Sequence, residues 1–379
     1  MPFLTDDERQ FCSAVSSLAF GNPFLHSRIE CEQAALGDDF VPHGAVWNIG
    51  HGTKSPAPNV GALAKRVATL AETVCARLRD GGTPTGRERE LYHDLVVYHL
   101  YYLHEPAFLD LVLMGLDPAT ERLECPQFFQ AFQADFTRLL APAGLDRGGE
   151  ADSCAHLFAC FHQIRRAFHH VFGSIVGGSM ATAQLRAAIW QSIFTHDARR
   201  YRRHLYKCMG DFSVLITGAS GTGKEIVAMS IALSRYIPFD PQSGRFATVP
   251  IGQFLGLSLS ALSPALVESE LFGHRRGAFT GATEDRCGWL ETCGPQGVVF
   301  LDEIGEISAD LQVKLLRVLE TRSFQRLGEL EERRFTGKLI AATNRDLACE
   351  IAEGRFRQDL YYRLCSDIIR TPSLSEQLA

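Results

Sequence analysis

The chain has 379 residues, of which 46% are hydrophobic and 22% are charged, and its formal net charge is −6. This balance is typical of a globular protein with two or three domains and argues against a disordered or fibrous chain. The acidic balance gives no overall footprint for nucleic acid, so any DNA contact must come from a local patch or a partner.

Cysteine usage and the N-terminal residues indicate where the protein works. The eleven cysteines are an odd number without any Cys-x-x-Cys pair, which favours reduced thiols over a disulfide framework. The first ten residues carry acids where a signal peptide needs bases. The most apolar segment, 95–116, is interrupted by charged residues and a proline, so it is a poor membrane span. We therefore predict a cytoplasmic protein with no membrane segment.

The first half of the chain has the apolar periodicity of helices. One stripe runs from Val60 to Leu78, where two glycines follow, and a second runs from Leu91 to Tyr102 and is predicted to end at Pro106. Further stripes cover 128–140, 157–172 and 185–193. Helices of this kind can bury their faces against each other. We predict an all-α N-terminal domain over residues 1–190, with a regulatory role because it precedes the rest of the protein.

Two polar groupings in this half leave alternatives open. Asp152, His156 and Cys160 fall on one helix face and could seed a metal site, although packed or solvated side chains are the commoner explanation. The basic run 199–207 is compatible with DNA contact, but a solvated helix face explains it more simply.

After residue 211 the pattern changes to short strands that alternate with helices. The segments 212–216, 297–301 and 338–342 are continuous apolar runs, which are typical of strands buried on both faces of a parallel sheet. A helix over 310–320 presents leucines on one face. The second domain, 191–379, is therefore predicted to have an α/β fold: a parallel sheet with flanking helices.

A glycine-rich segment follows the first of these strands and opens a helix. It consists of Gly218, Ala219, Ser220, Gly221, Thr222, Gly223, Lys224 and Glu225. In this context the pattern predicts a phosphate-binding loop of the Walker A type, in which backbone N–H groups surround phosphate and Lys224 reaches the β- and γ-oxygens of ATP. Glu225 stands where the pattern usually has a Ser or Thr hydroxyl for Mg²⁺.

A second glycine-containing loop lies further along the chain. Its residues are Gly277, Ala278, Phe279, Thr280, Gly281 and Ala282, directly after a pair of arginines. Aromatic side chains that belong to a core usually lie in periodic apolar runs, whereas this phenylalanine stands among small residues. The pattern predicts contact with a partner through Phe279 and Thr280. The alternative is a turn whose aromatic ring packs back onto the core.

Two carboxylates follow the second apolar strand. Asp302 and Glu303 fit a Walker B site, in which Asp302 orients Mg²⁺ or its water shell and Glu303 polarises the attacking water. Asn344 follows the next strand and is a candidate for holding the water or the γ-phosphate; an ordinary strand-end cap is the alternative.

Two arginines complete the candidate set. Arg357 and Arg363 are candidates for spreading charge over the γ-phosphate, a role often filled by a neighbouring subunit. The alternative is surface ion pairing with Glu353 and Asp359. Because the two arginines are six residues apart, at most one of them should contact phosphate if both lie in a regular helix.

Together these motifs resemble the AAA+ core of bacterial enhancer-binding proteins, the ATPases that activate RNA polymerase carrying sigma-54. The resemblance covers about residues 210–374 and includes the runs Glu-Ser-Glu-Leu-Phe-Gly-His at 268–274 and Phe-Arg-Gln-Asp-Leu-Tyr-Tyr-Arg-Leu at 356–364. Glutamate is usual in that family at the position of Glu225. The resemblance implies that the 277–282 loop engages sigma-54, and that Arg357 and Arg363 act across subunits of a hexameric ring.

The expected function is therefore an ATP-hydrolysing, Mg²⁺-dependent activator of sigma-54 RNA polymerase that remodels the closed promoter complex. The catalytic residues expected from the motifs are Lys224, Asp302, Glu303, Asn344, Arg357 and Arg363. One alternative is a nucleotide-switched module that binds the sigma factor with little or no turnover. A generic AAA+ remodeller is a third reading, disfavoured because such proteins lack the 277–282 loop.

Two departures from the family pattern bear on these expectations. Family members usually carry an asparagine ten residues before Glu268, positioned to hold the catalytic glutamate in check, and Ser258 stands there in this chain. The sequence also ends at Ala379, before the expected positions of the helical lid and the helix-turn-helix. DNA contact is accordingly expected only through a helix-turn-helix that is not present in this chain.

Overall fold

A computed structural model describes residues 3–44, 58–146, 149, 153–249 and 254–378. The chain divides into two compact units. Unit 1 consists of Met1–Tyr206 and Tyr236–Val249, and unit 2 of Lys207–Arg235 and Pro250–Ala379. In the described residues, no helix has both the length and the apolar character needed to cross a membrane.

The helices of unit 1 are α1 (Asp6–Phe20), α2 (Ser27–Leu36), α3 (Pro58–Arg79), α4 (Gly86–Gly115), α5 (Pro126–Leu140), α6 (Cys154–Ser174), α7 (Met180–Phe194) and α8 (Ala198–Arg203). Those of unit 2 are α9 (Lys224–Ala232), α10 (Pro264–Phe272), α11 (Trp289–Thr292), α12 (Ala309–Thr321), α13 (Leu347–Ala352), α14 (Gln358–Leu364) and α15 (Leu374–Leu378). The strands in chain order are β1 (Val214–Thr217), β2 (Phe239–Asp240), β3 (Arg245–Phe246), β4 (Phe254–Ser258), β5 (Gly273–His274), β6 (Arg286–Cys287), β7 (Val298–Asp302), β8 (Ser323–Phe324), β9 (Arg333–Arg334), β10 (Lys338–Thr343) and β11 (Ile368–Arg370).

Unit 1 is built around α4, which packs against α1, α3, α5 and α6. Thr85 and Glu88 form a capping box that satisfies free N–H groups at the start of α4. The prediction that this helix ends at Pro106 is wrong, since it continues to Gly115. An internal proline costs about 3 kcal/mol, but the following turns bury Phe108, Leu111 and Val112 in the core, and this burial outweighs the lost hydrogen bond.

Unit 1 also contains a hairpin that comes from much later in the chain. The 236–249 hairpin, with strands β2 and β3, places Phe239 and Phe246 against Phe158 of α6, at ring-centroid distances of 4.8 and 5.9 Å. The backbone N–H of Phe246 donates to the carbonyl of Leu123 at 3.0 Å. The predicted domain boundary at residue 190 therefore differs from the observed division. Residue 190 lies within α7 as a buried tryptophan, and the hairpin completes the core of the first unit.

The polar groupings of the first half are mostly packed inside unit 1. Both ring nitrogens of His156 are engaged, with the Tyr236 hydroxyl and the Arg202 carbonyl, each at 2.8 Å. Asp152, the other end of the possible metal site, lies outside the described residues. In the basic run, Arg202 is buried and Arg199 contacts Asp94, so the run is not simply a solvated helix face.

Unit 2 is built on a five-stranded sheet with the strand order β11-β1-β10-β7-β4, in which all neighbouring strands are parallel. The three strands predicted from apolar runs are the three central ones, β1, β7 and β10, and their side chains are almost entirely buried. Helix α9 packs on these central strands. The predicted α/β fold with flanking helices, preceded by a helical region, is confirmed.

The sheet order brings the ends of the central strands together. Because β10 lies between β1 and β7, the segments that follow these three strands leave the same edge of the sheet side by side. Those segments begin at Gly218, Asn344 and Glu303. The phosphate loop, the Asp302 and Glu303 pair and Asn344 therefore lie at the carboxyl edge of one sheet.

Candidate functional site

The glycine-rich loop connects β1 to α9, and Lys224 is the first residue of that helix. Gly221 and Gly223 have φ angles of 77° and 85°, a left-handed conformation that favours glycine. The Lys224 ammonium donates to the carbonyls of Gly218 and Ala219, each at 3.0 Å. The loop thus curves around its own lysine, and the first N–H groups of α9 lack helical partners and can bind an anion.

Position 218 requires glycine because Thr371 leaves no space for a side chain there. A Cβ atom at position 218 would lie 2.0 Å from the Thr371 hydroxyl oxygen, so only glycine is accommodated. Thr371 follows β11; its N–H donates to the Thr217 carbonyl at 2.8 Å, and its hydroxyl shares a 2.7 Å hydrogen bond with Thr222. Sequence reasoning missed Thr371, which lies 149 residues after Thr222 and carries no motif.

The two carboxylates lie at the end of β7. Asp302 is its last residue and accepts a 3.0 Å hydrogen bond from the N–H of Glu303. Glu303 has a φ of 60°, a left-handed conformation that costs a non-glycine residue about 1–2 kcal/mol.

A serine contacts the second carboxylate. The Ser260 hydroxyl donates to Oε2 of Glu303. Ser258, at the family's asparagine position, is paired with Asp302 in the register of β4 and β7, and its hydroxyl lies 3.4 Å from that of Ser260. The residue that holds Glu303 is therefore two positions further along than the family pattern indicates. Sequence reasoning missed it, although a Ser-x-Ser pair at the end of a strand was a visible signal.

Asn344 lies between the phosphate loop and the pair Asp302 and Glu303. It follows β10, its side chain is exposed, and β10 separates β1 from β7. The neighbouring strand-end residue Thr343 is buried and caps the turn by accepting a hydrogen bond from the Arg345 N–H at 3.0 Å. A threonine therefore makes the strand-end cap, and the Asn344 amide faces the solvent beside the phosphate loop.

The two candidate arginines lie away from this edge, at α14. Arg357 precedes the helix and forms a two-point ion pair with Asp359, with distances of 3.0 and 2.6 Å, which raises the pKa of the arginine. Arg363 is in the helix, 3.5 Å from Glu320 of α12. Both side chains are about half exposed. Of the two acids named in the alternative of surface ion pairing, Asp359 is indeed a partner of Arg357, whereas Glu353 pairs with Arg355.

The 277–282 loop closes on itself at the surface of unit 2. The N–H of Gly277 donates to the carbonyl of Ala282 at 2.8 Å, and Gly277 and Gly281 have φ angles of 82° and 104°. Thr280 is exposed. Phe279 is half-buried, with its ring at a steep angle to that of His274 and a centroid distance of 5.0 Å. The loop presents its hydroxyl to solvent and keeps its aromatic ring partly covered.

The base of this loop is held by a cluster of charges. Arg275 contacts Asp285 at 2.5 Å and Glu329 at 2.8 Å. The pKa of Asp285 is lowered by the backbone N–H of Arg276 and by Arg275, and the pKa of Glu329 is lowered by Arg333 and by Arg275. The Arg275 N–H also donates to the carbonyl of Leu327 at 3.0 Å. The loop therefore projects from a fixed base, and its two glycines are the flexible positions.

The fold and the site define the class of the second unit. A phosphate loop after the first strand and a carboxylate pair after the third lie on a parallel sheet whose strands, numbered within the sheet, are ordered 5-1-4-3-2. Unit 2 is an AAA+ P-loop domain.

Comparison with known proteins identifies the particular domain. Residues 195–370 match the model of the Sigma-54 interaction domain, so this part of the chain is similar to that domain. The predicted resemblance to sigma-54-dependent transcriptional activators is confirmed for this part of the chain.

The relatives align over the same part of the chain. The Nif-specific regulatory protein of Azotobacter vinelandii is 47% identical over 167 residues, which are 44% of this chain and 30% of that protein. The transcriptional regulatory protein ZraR of Escherichia coli strain K12 is 48% identical over 166 residues, 44% of this chain and 34% of that protein. The chain thus matches about a third of the length of these curated relatives.

Among solved structures, the crystal structure of NtrX from Brucella abortus in complex with ATP is 29% identical to this chain. The comparison covers 57% of this chain and 43% of that one, with a TM-score of 0.41 that reflects a limited overall superposition.

Proposed function

We propose that the protein hydrolyses ATP with Mg²⁺ and uses the reaction to remodel the closed promoter complex of sigma-54 RNA polymerase through the 277–282 loop. The observation that supports this proposal is the short segment of chain that connects the carboxylate Glu303, through Ser260, to the 277–282 loop. Ser260, which contacts Glu303, is followed directly by α10, then by β5, and then by the loop. A change at the carboxylate therefore has a short route to the loop.

The residues of the phosphate loop fit a nucleotide. Lys224 lies at the start of α9 and donates to two backbone carbonyls that phosphate oxygens can replace, and the space at Gly218 excludes any side chain. Residues 218–225 would hold the phosphates, and Asp302 would hold Mg²⁺. When bound, ATP and Mg²⁺ supply the scissile phosphoanhydride and neutralise its charge.

The remaining residues of this sheet edge act on water. Glu303 accepts a proton from the attacking water and polarises it, and Asn344 orients the water or the γ-phosphate from its exposed position beside the loop. Ser260 restrains Glu303 until the site is complete.

The arginines of α14 act across subunits of a hexameric ring in this proposal. A guanidinium aimed at the γ-phosphate stabilises the charge of the transition state. Arg357 and Arg363 are half exposed and their ion pairs are of the weak surface type, so exchange of a carboxylate for phosphate costs little.

Unit 1 is the regulatory part of this proposal. Between α9, which begins with Lys224, and β4, which leads to Ser260, the chain passes through unit 1 as the 236–249 hairpin. The segments before and after the hairpin are therefore the two that carry the lysine and the restraint on Glu303. We place this activity in the cytoplasm, where RNA polymerase acts.

The alternative is a nucleotide-switched module that binds the sigma factor with little or no turnover. Phosphate release from wild type, Glu303→Gln and Arg363→Ala separates the two functions. We expect clear release from wild type and a loss of at least about ten-fold in each variant. Equal, negligible release from all three, with nucleotide binding retained, would leave only the switch.

Partner contact is tested separately. We expect sigma-54 to be retained on the protein with a transition-state analogue of ATP, and retention to be lost in Phe279→Ala while nucleotide binding stays unchanged. Phe212→Ala is a matched control, since this phenylalanine is exposed in unit 2 but lies outside the loop, and the variant should retain sigma-54 like wild type. Retention by Phe279→Ala at the wild-type level would refute the role of the loop.

A further inference from the structure

Unit 1 contains a cavity that the proposed function does not use. It lies among α1, α2, α3, α4, α6 and α7, with α8 at one side, and its volume is about 130 Å³. Most of its lining is apolar, with a high share of aromatic rings that include Tyr98, Tyr102, Phe161, Trp190 and Phe194.

The volume sets the size of a possible occupant. An engineered cavity of about 150 Å³ in another protein stays dry and binds benzene, so this cavity has room for one ring. The lining rings also have suitable geometry. The Trp190 ring lies 4.8 Å from Phe168 and 4.5 Å from Phe194, with tilted planes. Such walls present both ring faces and ring edges, which is the environment that a flat aromatic molecule prefers.

Two tyrosines give the cavity a neutral polar group. The rings of Tyr98 and Tyr102 are 4.6 Å apart, and burial raises the pKa of both side chains. Both hydroxyls therefore stay protonated at neutral pH. They share one hydrogen bond with each other, which leaves the pair with one donor and further acceptor capacity. They can satisfy one hydroxyl or amino group on a bound ring.

The charged side chains of the lining are Arg28, Glu32 and Arg202. The Arg202 guanidinium lies over the Phe20 ring, 6.0 Å from its centroid. Arg28 is paired with Glu32, and the two side chains are only 6% and 3% exposed. Glu32 also accepts a hydrogen bond from Asn59 at 3.1 Å and lies 2.8 Å from a ring nitrogen of His43. Because Arg28 is already paired with Glu32 and most of the lining is apolar, a carboxylate would lose its water on entry, whereas a neutral ring would not have this cost.

We propose that this cavity binds an uncharged single-ring aromatic molecule that carries one hydroxyl or amino group. The proposal does not depend on ATP hydrolysis or on sigma-54, and its test measures binding alone. For a ligand of this size the expected dissociation constant lies between about 1 µM and 1 mM.

Three related molecules test the ligand class by calorimetry on the full chain. Benzyl alcohol has the proposed chemistry, cyclohexylmethanol has the same skeleton without the aromatic ring, and benzoate has a similar size with a negative charge. We expect saturable binding of benzyl alcohol and at least about ten-fold weaker binding of the other two. Absence of saturable benzyl alcohol binding up to about 10 mM, or equal binding of all three, would overturn the proposal.

A substitution that fills the cavity tests the location. Cys31 lines it from α2 and is only partly exposed. Cys31→Phe should weaken benzyl alcohol binding by at least about ten-fold, whereas Cys31→Ala should keep it. Cys349 is exposed in unit 2, so Cys349→Phe is a matched control that should bind like wild type. Undiminished binding by a folded Cys31→Phe variant would refute the site.

A second measurement covers the case in which Cys31→Phe fails to fold. In wild type, benzyl alcohol at ten times its dissociation constant should slow alkylation of Cys31 by about ten-fold, since about a tenth of the molecules remain unbound. Alkylation of Cys349 in the same sample should not change. Equal alkylation rates of Cys31 with and without the ligand would place binding elsewhere and overturn the proposal.

Discussion

The contact between Ser260 and Glu303 leads to a prediction about the rate of ATP hydrolysis in the absence of the sigma factor. The Ser260 hydroxyl donates to the carboxylate that we propose as the base. While this hydrogen bond persists, one oxygen of Glu303 is occupied and its side chain is held towards β4. Ser260→Ala removes the hydroxyl and leaves the backbone unchanged. We therefore expect basal hydrolysis to rise.

The size of the effect follows from the kind of hydrogen bond. A hydrogen bond to a charged group contributes about 1.5–3 kcal/mol when it is buried. Ser260 is exposed and Glu303 is half-buried, so the contribution is closer to about 1 kcal/mol. A restraint of this size corresponds to about a five-fold change in rate. The expected rise in basal hydrolysis is therefore about five-fold.

The assay is steady-state phosphate release at saturating ATP, with and without sigma-54. Ser258→Ala is the matched control, because among the described residues its hydroxyl has Ser260 as a hydrogen-bond partner, at 3.4 Å, and not Glu303. We expect the control to change the basal rate by less than about two-fold. Glu303→Gln combined with Ser260→Ala should be as inactive as Glu303→Gln alone, since the serine acts through the glutamate.

Two outcomes would refute this reasoning. An unchanged or lower basal rate in Ser260→Ala would mean that the hydrogen bond orients Glu303 for reaction or contributes nothing. An equal rise in Ser258→Ala would restore the restraining role to the position that the family pattern indicates.

Three further predictions concern binding and stability. Gly218→Ala should abolish binding of a fluorescent ATP analogue, because its Cβ would lie 2.0 Å from the Thr371 hydroxyl. Thr371→Ala alone should still bind the analogue. Binding by Gly218→Ala would contradict the close contact between residue 218 and Thr371. Burial lowers the pKa of Lys338 to about 7, below that of the unfolded chain, so the free energy of unfolding should rise by about 2 kcal/mol between pH 7 and pH 9. Urea unfolding of Lys338→Met should lack this rise, and an equal rise in both proteins would refute it. A fragment of residues 207–379 should aggregate in gel filtration, because it exposes the apolar face of the 236–249 hairpin. Replacement of the hairpin by a glycine-serine linker should give a monodisperse fragment. Aggregation of both fragments would show that the hairpin is not the cause.

The parts of the fold that could be predicted are those set by local sequence. The central strands are continuous apolar runs because both faces of the sheet are covered, and this signal can be read from five residues at a time. The phosphate loop and the pair Asp302 and Glu303 follow such strands directly. Their placement at one sheet edge follows from the parallel direction of the strands.

The parts that could not be predicted depend on contacts between distant residues. The edge strand β11 has only one buried residue of three, so its pattern resembles a surface segment. Thr371 reaches Gly218 only because β11 lies beside β1. The course of α4 through Pro106 is decided by core packing, which overrides the local preference of proline.

The hairpin is the clearest example of this limit, because its pattern gave no sign of the unit to which it belongs. Phe239 and Phe246 are separated by a turn, as in any hairpin, and their partners on α5 and α6 precede them by more than 75 residues. A cut at residue 190, in contrast, would divide α7 within its buried stretch. A domain boundary predicted from a change in secondary-structure pattern is wrong when a later segment of the chain packs into the core of the preceding domain.

The segment that connects Ser260, the partner of Glu303, to the 277–282 loop is held by side-chain contacts along its length. Helix α10 is short and is tied to α12 by an ion pair of 2.6 Å between Glu268 and Lys314. At its far end, the Ser269 hydroxyl lies 2.8 Å from a ring nitrogen of His274, and the His274 ring supports Phe279. A shift of Ser260 that moves α10 would therefore move the ring beneath Phe279. Since Gly277 and Gly281 are the points at which the backbone turns most easily, such a shift would change the exposure of Phe279 before it disturbed the charged base of the loop.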